Sequence, residues 1–307
     1  EALAVPFVSP HVSPKGTETF SDSFSPLCMS SIPNFRDVSL GGELFAPDIL
    51  YRGPNPVSYG EDQYFKFFSE KGVKTLVDLR SDDEFSQMMS RLREKESPVL
   101  AMVEEMQKQG HYHKCFLTSK NFIRKVAIST APLYWQALFY TSYLFGFRNY
   151  ARRIAFSRVM TLLEQKRHLG LYKDFLQISG SSIVKALRAI SNPANFPIAF
   201  FCMQGKDRTG LLSMLIMHIT GASEEQIISE YSKSEKLLGS EFLIEYKPKN
   251  MPDWIWYDTP AEAMKKTLEW LRESYGSVDG YLNSYGFCAE DREKLRAALK
   301  SSQKANL

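Results

Sequence analysis

Cysteine is scarce in this chain of 307 residues, which carries only Cys28, Cys115, Cys202 and Cys288. None lies in a C-x-x-C pair, so the usual zinc frameworks are excluded and nothing suggests a disulfide scaffold. A reducing compartment is the simplest setting for such a chain, and the cytoplasm is the expected location. The chain begins at Glu1 rather than Met, which is compatible with removal of an upstream leader. Histidine is sparse too: of five, only His111 and His113 are near neighbours, in an H-x-H, and no metal or other cofactor is assigned. The run from Ala131 to Phe147 is uncharged, but it is shorter than the ~20 residues of a membrane span and rich in Tyr and Trp, so it is not read as transmembrane. No repeat recurs at a solenoid period.

What is present is ordinary for a globular protein: 44% hydrophobic residues, 24% charged residues and a net charge of +3. The charge is unevenly spread. From Gln107 to Lys173 there are twelve Lys and Arg against one acid, Glu164. The plain reading of this basic, aromatic stretch is a solvated helical face over an aromatic core. The functional reading is a lid over a site, or a peripheral contact with an anionic membrane. No nucleic-acid-binding module accompanies the charge, so nucleic acid is not an expected partner.

Along the chain, residues 1–30 carry Pro6, Pro10, Pro14 and Pro26 and predict an extended arm. A single domain is expected over 31–305. It opens with two short strands, Asn34 to Val38 and a run to Arg52, around the Gly41-Gly42 turn. A short helix is predicted from Tyr64 to Lys71, then a buried strand from Val73 to Leu79 and a capping box, Ser81-Asp82-Asp83-Glu84, that starts a helix. Residues 97–170 read as a helical insertion, followed by an amphipathic helix from Tyr172 to Ile190. Ile198 to Phe201 is a short apolar strand that runs into Cys202, and helices follow at Leu211 to Ile219, after Ser223, at Ala261 to Tyr275 and at Ala289 to Ser301.

The loop after that strand carries the chemistry. It reads Cys202-Met203-Gln204-Gly205-Lys206-Asp207-Arg208-Thr209-Gly210. A bare C-x₅-R is weak, but Gly, Lys, Asp, Arg, Thr and Gly at fixed offsets match by chance about once in several million chains. A tight loop between a buried strand and a helix N-terminus can turn its N–H groups toward a dianion, and the same field favours a thiolate. In that setting Cys202 is the candidate nucleophile. Arg208 can clamp two phosphate oxygens, Gly205 permits the turn, Thr209 can donate to the sulfur, and Lys206 adds positive potential. Met203, Gln204 and Asp207 complete the phosphate-binding loop.

Cys202 to Gly210 resembles the signature H-C-x-x-G-K-D-R-T-G of the atypical cysteine-dependent tyrosine phosphatases, in the branch acting on tyrosine, serine and lipid phosphates. Asn34-Phe35-Arg36-Asp37 is similar to that branch's N-F-R-D, Asp78-Leu79-Arg80-Ser81 to its D-L-R-S, and Glu230-Tyr231-Ser232-Lys233-Ser234 to its D-Y-x-x-S. Gly276-Ser277-Val278 with Tyr281-Leu282 resembles its C-terminal G-S-V-x-x-Y-L. The resemblance implies an α/β fold, a central and mostly parallel sheet flanked by helices, with a helical insertion. It also implies metal-independent hydrolysis through a phosphocysteine, with Cys202 as nucleophile and Arg208 as clamp.

A carboxylic acid must serve the leaving oxygen. Asp78, at a strand end, is the first candidate and Asp207, within the loop, the second. The expected substrate is phosphotyrosine or another phosphorylated protein side chain. The alternatives are a phosphoinositide or inositol phosphate, or a phosphate-binding module with weak turnover.

One departure motivates that last alternative. Phe201 stands where the family has His, and a phenyl ring cannot donate a hydrogen bond to the loop. Phe201→His is therefore expected to speed alkylation of Cys202 by iodoacetamide and to raise turnover. Alkylation rates that coincide across pH for the two proteins would remove the idea.

Overall fold

The computed structural model describes residues 32–59, 65, 68, 70–119, 122, 124–238, 247 and 252–301. The expected arm over residues 1–30 and most of the helix expected from Tyr64 to Lys71 lie outside the described residues.

The strands are β1 (Arg36–Asp37), β2 (Leu50–Pro54), β3 (Thr75–Asp78), β4 (Tyr112–Lys114) and β5 (Ile198–Cys202). They form one sheet in the order β1-β2-β5-β3-β4, with only the β1–β2 pair antiparallel. This is the mostly parallel α/β sheet that the family resemblance implied. β5 is apolar throughout and sits at the centre because both of its neighbours must be strands. The chain passes from β2 to β3 without pairing them, then returns to fill the gap with β5. The carboxyl end of β5 therefore opens at a switch point, where α/β sheets bind ligands.

The helices are α1 (Asp82–Glu94), α2 (Pro98–Lys108), α3 (Leu133–Leu144), α4 (Arg148–Ile178), α5 (Gly180–Ile190), α6 (Asp207–Ile219), α7 (Glu224–Leu238), α8 (Asp253–Tyr257), α9 (Ala261–Tyr275), α10 (Val278–Ser284) and α11 (Ala289–Ser301). Alternation along β5 divides them into two layers. Ala199 and Phe201 face a cluster with Phe85, Met88 and Met89 of α1 and Val99 and Val103 of α2. Phe200 and Cys202 face the larger cluster, with Ile183 and Leu187 of α5, Leu212 and Leu215 of α6 and Met264 and Leu268 of α9. The capping box at α1 forms as the sequence indicated: Ser81 Oγ accepts from the Glu84 N–H at 3.0 Å, and the Ser81 N–H donates to Glu84 Oε2 at 2.7 Å.

The stretch expected as a helical insertion, 97–170, is divided. α2 packs in the core, and β4 pairs in parallel with β3 as an edge strand. Three residues with only Tyr112 buried are too short for a period-2 pattern to emerge from the helical periodicity around them. A π-helical turn (Arg124–Ile128), α3 and the first half of α4 form the hairpin that remains. α4 bends at Arg167, whose φ of 53° and ψ of −161° separate two helical halves. The second half, with α5, covers the segment read as one amphipathic helix. Among the described residues no helix is long and apolar enough to cross a membrane.

Candidate active site

Cys202 ends β5 opposite Pro54 of β2 and is 3% exposed. The loop that follows is pinned from outside. Gly205 adopts φ +72°, and a Cβ there would lie 2.2 Å from the Gly53 carbonyl carbon, so only glycine lets the loop pass this close to β2. Asn55 N–H donates to the Met203 carbonyl at 3.3 Å. Arg52 Nη2 donates to the carbonyls of Gly205 at 2.8 Å and Lys206 at 3.4 Å. Asn34 Nδ2 donates to the Gln204 carbonyl at 2.8 Å. The loop's carbonyls are thus held by the surrounding scaffold. Among the described residues, the N–H groups of Met203, Gln204, Gly205 and Lys206 donate to no protein acceptor. A run of free amides that leads into the N-terminus of α6 is an anion-binding arrangement.

The motifs scattered along the sequence meet behind this loop. Glu230 of α7 accepts from Arg36 Nε at 2.6 Å and from Arg52 Nη1 at 2.5 Å, and all three side chains are largely buried. Arg36 also donates to the Glu230 carbonyl at 3.0 Å, to Ser234 Oγ at 2.9 Å and to the side chain of Asn34. Asn34 has φ +62°, a conformation that Asn tolerates better than most residues. Burial opposes charge on Glu230, but Arg52 and Arg36 outweigh it and keep the carboxylate ionised. Burial also lowers Arg36, to about 10, yet the group stays charged at neutral pH.

Arg208 projects from the first turn of α6 to Glu84 of α1, with Nη1–Oε2 at 2.8 Å and Nη2–Oε1 at 3.1 Å, and Nη1 reaches Thr118 Oγ1 at 3.3 Å. Glu84 is the residue that closes the capping box, so one carboxylate orients both the helix start and the guanidinium. This end-on pairing leaves the Nε edge of Arg208 for an oxyanion. Burial works against the Glu84 charge, but Arg208 prevails and brings its pKa down to about 2.

Asp78 and Asp207 have different surroundings. Asp78 is fully buried, and its oxygens accept from Arg80 Nε at 2.9 Å, Arg80 Nη2 at 2.7 Å and Tyr112 O–H at 2.7 Å. Its register partner is Phe201, which faces α1 and α2, so Asp78 and Cys202 point to opposite faces of the sheet. Asp207 is 17% exposed in its side chain and accepts a 2.6 Å hydrogen bond at Oδ1 from Tyr172 of α4. Burial, then Asp207 and Tyr231, push the Tyr172 hydroxyl far above its ordinary range, so it remains a donor.

Lys206 is buried, and its Nζ donates to the Asp258 carbonyl at 2.8 Å and lies 3.7 Å from Asp207 Oδ2. Gln204 Nε2 donates to the Trp256 carbonyl at 3.2 Å, so the segment around α8 covers this side of the loop. Thr209 Oγ1 is buried with no hydrogen-bond partner among the described residues. Phe201 packs edge-on to Tyr112 at 6.5 Å, with the Arg80 guanidinium 5.3 Å from its ring centre. Cys115 is buried, and burial pushes its thiol up to about 12, which makes it unreactive. Among the described residues no cluster of His, Cys, Asp and Glu is placed to hold a metal ion.

Sequence reasoning located the loop but did not anticipate Glu84 as the partner of Arg208, nor Arg52, Glu230 and Tyr172 as supports. The only signal for Glu84 was its spacing from Ser81.

Glu84 also makes a testable contribution to stability. Its depressed pKa stabilises the fold fully above the ordinary 4.5, and that contribution is lost as pH falls through about 2. Glu84→Gln should lower stability at pH 7 by about 3 kcal/mol and flatten the loss of stability between pH 5 and 2, as read by denaturant titration across pH.

The sequence matches the model of the tyrosine phosphatase family over residues 27–301. It is 24% identical over 124 residues to the triple specificity protein phosphatase PtpB of Mycobacterium tuberculosis, covering 34% of this chain and 45% of that one. It is 23% identical over 145 residues to a tyrosine-protein phosphatase of Nostoc commune, covering 42% and 47%. A shorter stretch of 64 residues is 38% identical to the inositol diphosphatase SIW14 of Saccharomyces cerevisiae, covering 21% and 23%. The matched stretches span less than half the length of each of these curated relatives. With a family match that runs from before β1 to the last turn of α11 and takes in the whole Cys202 loop, the chain belongs to the tyrosine phosphatase family.

Proposed function

We propose that the protein hydrolyses phosphate monoesters through a phosphocysteine, with phosphotyrosine or another phosphorylated protein side chain as substrate. The observation that carries this reading is the Cys202 loop itself: four amides that have no protein acceptor among the described residues, beside a buried sulfur, with a guanidinium held end-on by Glu84. In the first step the Cys202 thiolate attacks phosphorus, the S–P bond forms and the bond to the leaving oxygen breaks. Loop amides and the Nε edge of Arg208 take up the charge on the phosphoryl oxygens. In the second step water attacks the phosphocysteine, releasing inorganic phosphate and the thiolate, whose charge the Thr209 hydroxyl is available to meet.

Asp207 is assigned as the acid that protonates the leaving oxygen and later takes a proton from water. Tyr172 donates to its Oδ1, and its Oδ2 lies 3.7 Å from Lys206 Nζ, so both neighbours orient the carboxyl. Asp78 is not given this role because its oxygens are engaged by Arg80 and Tyr112 on the other face of the sheet. It serves instead to hold β3 against β4.

A phosphoinositide or inositol phosphate is the second reading. The likeness to a relative named as an inositol diphosphatase favours it, as does the basic hairpin. The third, a phosphate-binding module with weak turnover, rests on Phe201.

Hydrolysis of p-nitrophenyl phosphate that disappears in Cys202→Ser separates an enzyme from a binder, and a panel of phosphopeptides against phosphoinositide vesicles ranks the first two readings. Asp207→Asn should lower kcat on phosphotyrosine by about 10²–10⁴, the range for a lost general acid. Asp78→Asn should instead lower thermal stability, with a smaller effect on turnover. The reverse pattern would return the acid to Asp78.

A further inference from the structure

From Val126 to Phe147 no residue is charged, while Arg124 and Lys125 precede this stretch and Arg148 follows it. It contains α3 and the turn into α4, and the hairpin of α3 with early α4 has only a small core of its own: Ile128, Phe139, Ala151 and Ala155, with Trp135 against them. Many of its large apolar side chains are left outside. Leu133 is 83% exposed, Leu144 80%, Phe145 72% and Phe147 66%, and Tyr134 and Tyr143 are exposed as well. Elsewhere among the described residues the exposed large hydrophobics are Phe65 and Leu237 alone. A concentration of this kind on one element marks a docking surface.

The charge around the patch indicates its occupant. Arg124 and Lys125 precede the uncharged stretch in sequence and Arg153 follows it on α4, all three exposed, and Glu164 is the single acid between Gln107 and Lys173. Leu and Phe at a tip, Tyr along its sides and cations flanking it suit the boundary of an anionic bilayer, where rings sit at headgroup level and cations meet lipid phosphates. α3 has 12 residues, too few to cross a bilayer but enough to lie in its interface. We infer that the α3–α4 hairpin is a membrane-docking surface that inserts Leu144, Phe145 and Phe147 into the headgroup region of an anionic bilayer. The inference does not depend on which phosphate ester the active site takes, or on turnover.

The test is cosedimentation of the full chain with vesicles of phosphatidylcholine alone or with added phosphatidylserine. Binding is expected to the serine-containing vesicles and to weaken with salt. The double variant Leu144→Asp/Phe147→Asp should bind about tenfold more weakly or less, and each of Arg124→Gln and Lys125→Gln roughly fivefold more weakly. Circular dichroism reports whether each variant is folded. If the aspartate variant unfolds, the comparison of the two lipid compositions with the wild-type chain still decides. Absence of vesicle binding, equal binding to both compositions, or folded variants that bind like wild type would overturn the inference. So would a dimer in sedimentation velocity that Leu144→Asp/Phe147→Asp dissociates, because the patch would then belong to a second copy of this chain.

Discussion

The arrangement depends on one buried carboxylate. Glu230 binds Arg36 and Arg52 at once, and Arg52 in turn grips the carbonyls of Gly205 and Lys206. A loop that presents its N–H groups to an anion must turn its carbonyls elsewhere, and those carbonyls need donors. Arg52 supplies two of them, and Asn34, which Arg36 holds, supplies a third; both guanidiniums can stay behind the loop only if their charge is balanced out of water. Glu230 provides that balance from a different helix. Removing one partner from such a buried network is far costlier than the pairing is stabilising, because a bare charge would be left inside the protein.

A second carboxylate holds the guanidinium of Arg208 in the same manner. Arg208 would be a long and mobile side chain on the first turn of α6, but Glu84 fixes both of its terminal nitrogens before any substrate arrives. The guanidinium is therefore oriented in advance, and the proposed binding of a phosphate would cost less side-chain entropy. Thr118, in the segment after β4, adds a contact to the same guanidinium, which gives the edge strand a bearing on the site.

Local pattern was a reliable guide where a short stretch determines its own geometry. The Ser81 to Glu84 cap, the apolar β5, the helix after Cys202 and the terminal helices from Ala261 and Ala289 all follow the reading of the sequence. It was a poor guide where geometry comes from partners. β4 is three residues long and exists because β3 offers an edge. Asp78 sits at a strand end, as expected of a site residue, yet side-chain alternation along β5 puts it across the sheet from Cys202. Lys206 lies in the loop by sequence, while its amine is buried against the Asp258 carbonyl 52 residues on.

By itself, then, the sequence determined the family and the candidate loop. The loop's spacing, its glycine where β2 passes close, and a thiol followed six residues later by a guanidinium are properties of nine consecutive residues. The tertiary structure decided which groups support and accompany that loop. Glu84, Arg52, Glu230 and Tyr172 come from four separate elements, and their contacts with one another and with the loop arise only when the sheet and both helical layers close. The physical reason is range. Backbone turns and caps are settled between residues a few positions apart, whereas buried ion pairs form between residues that only the packed core brings within hydrogen-bonding distance.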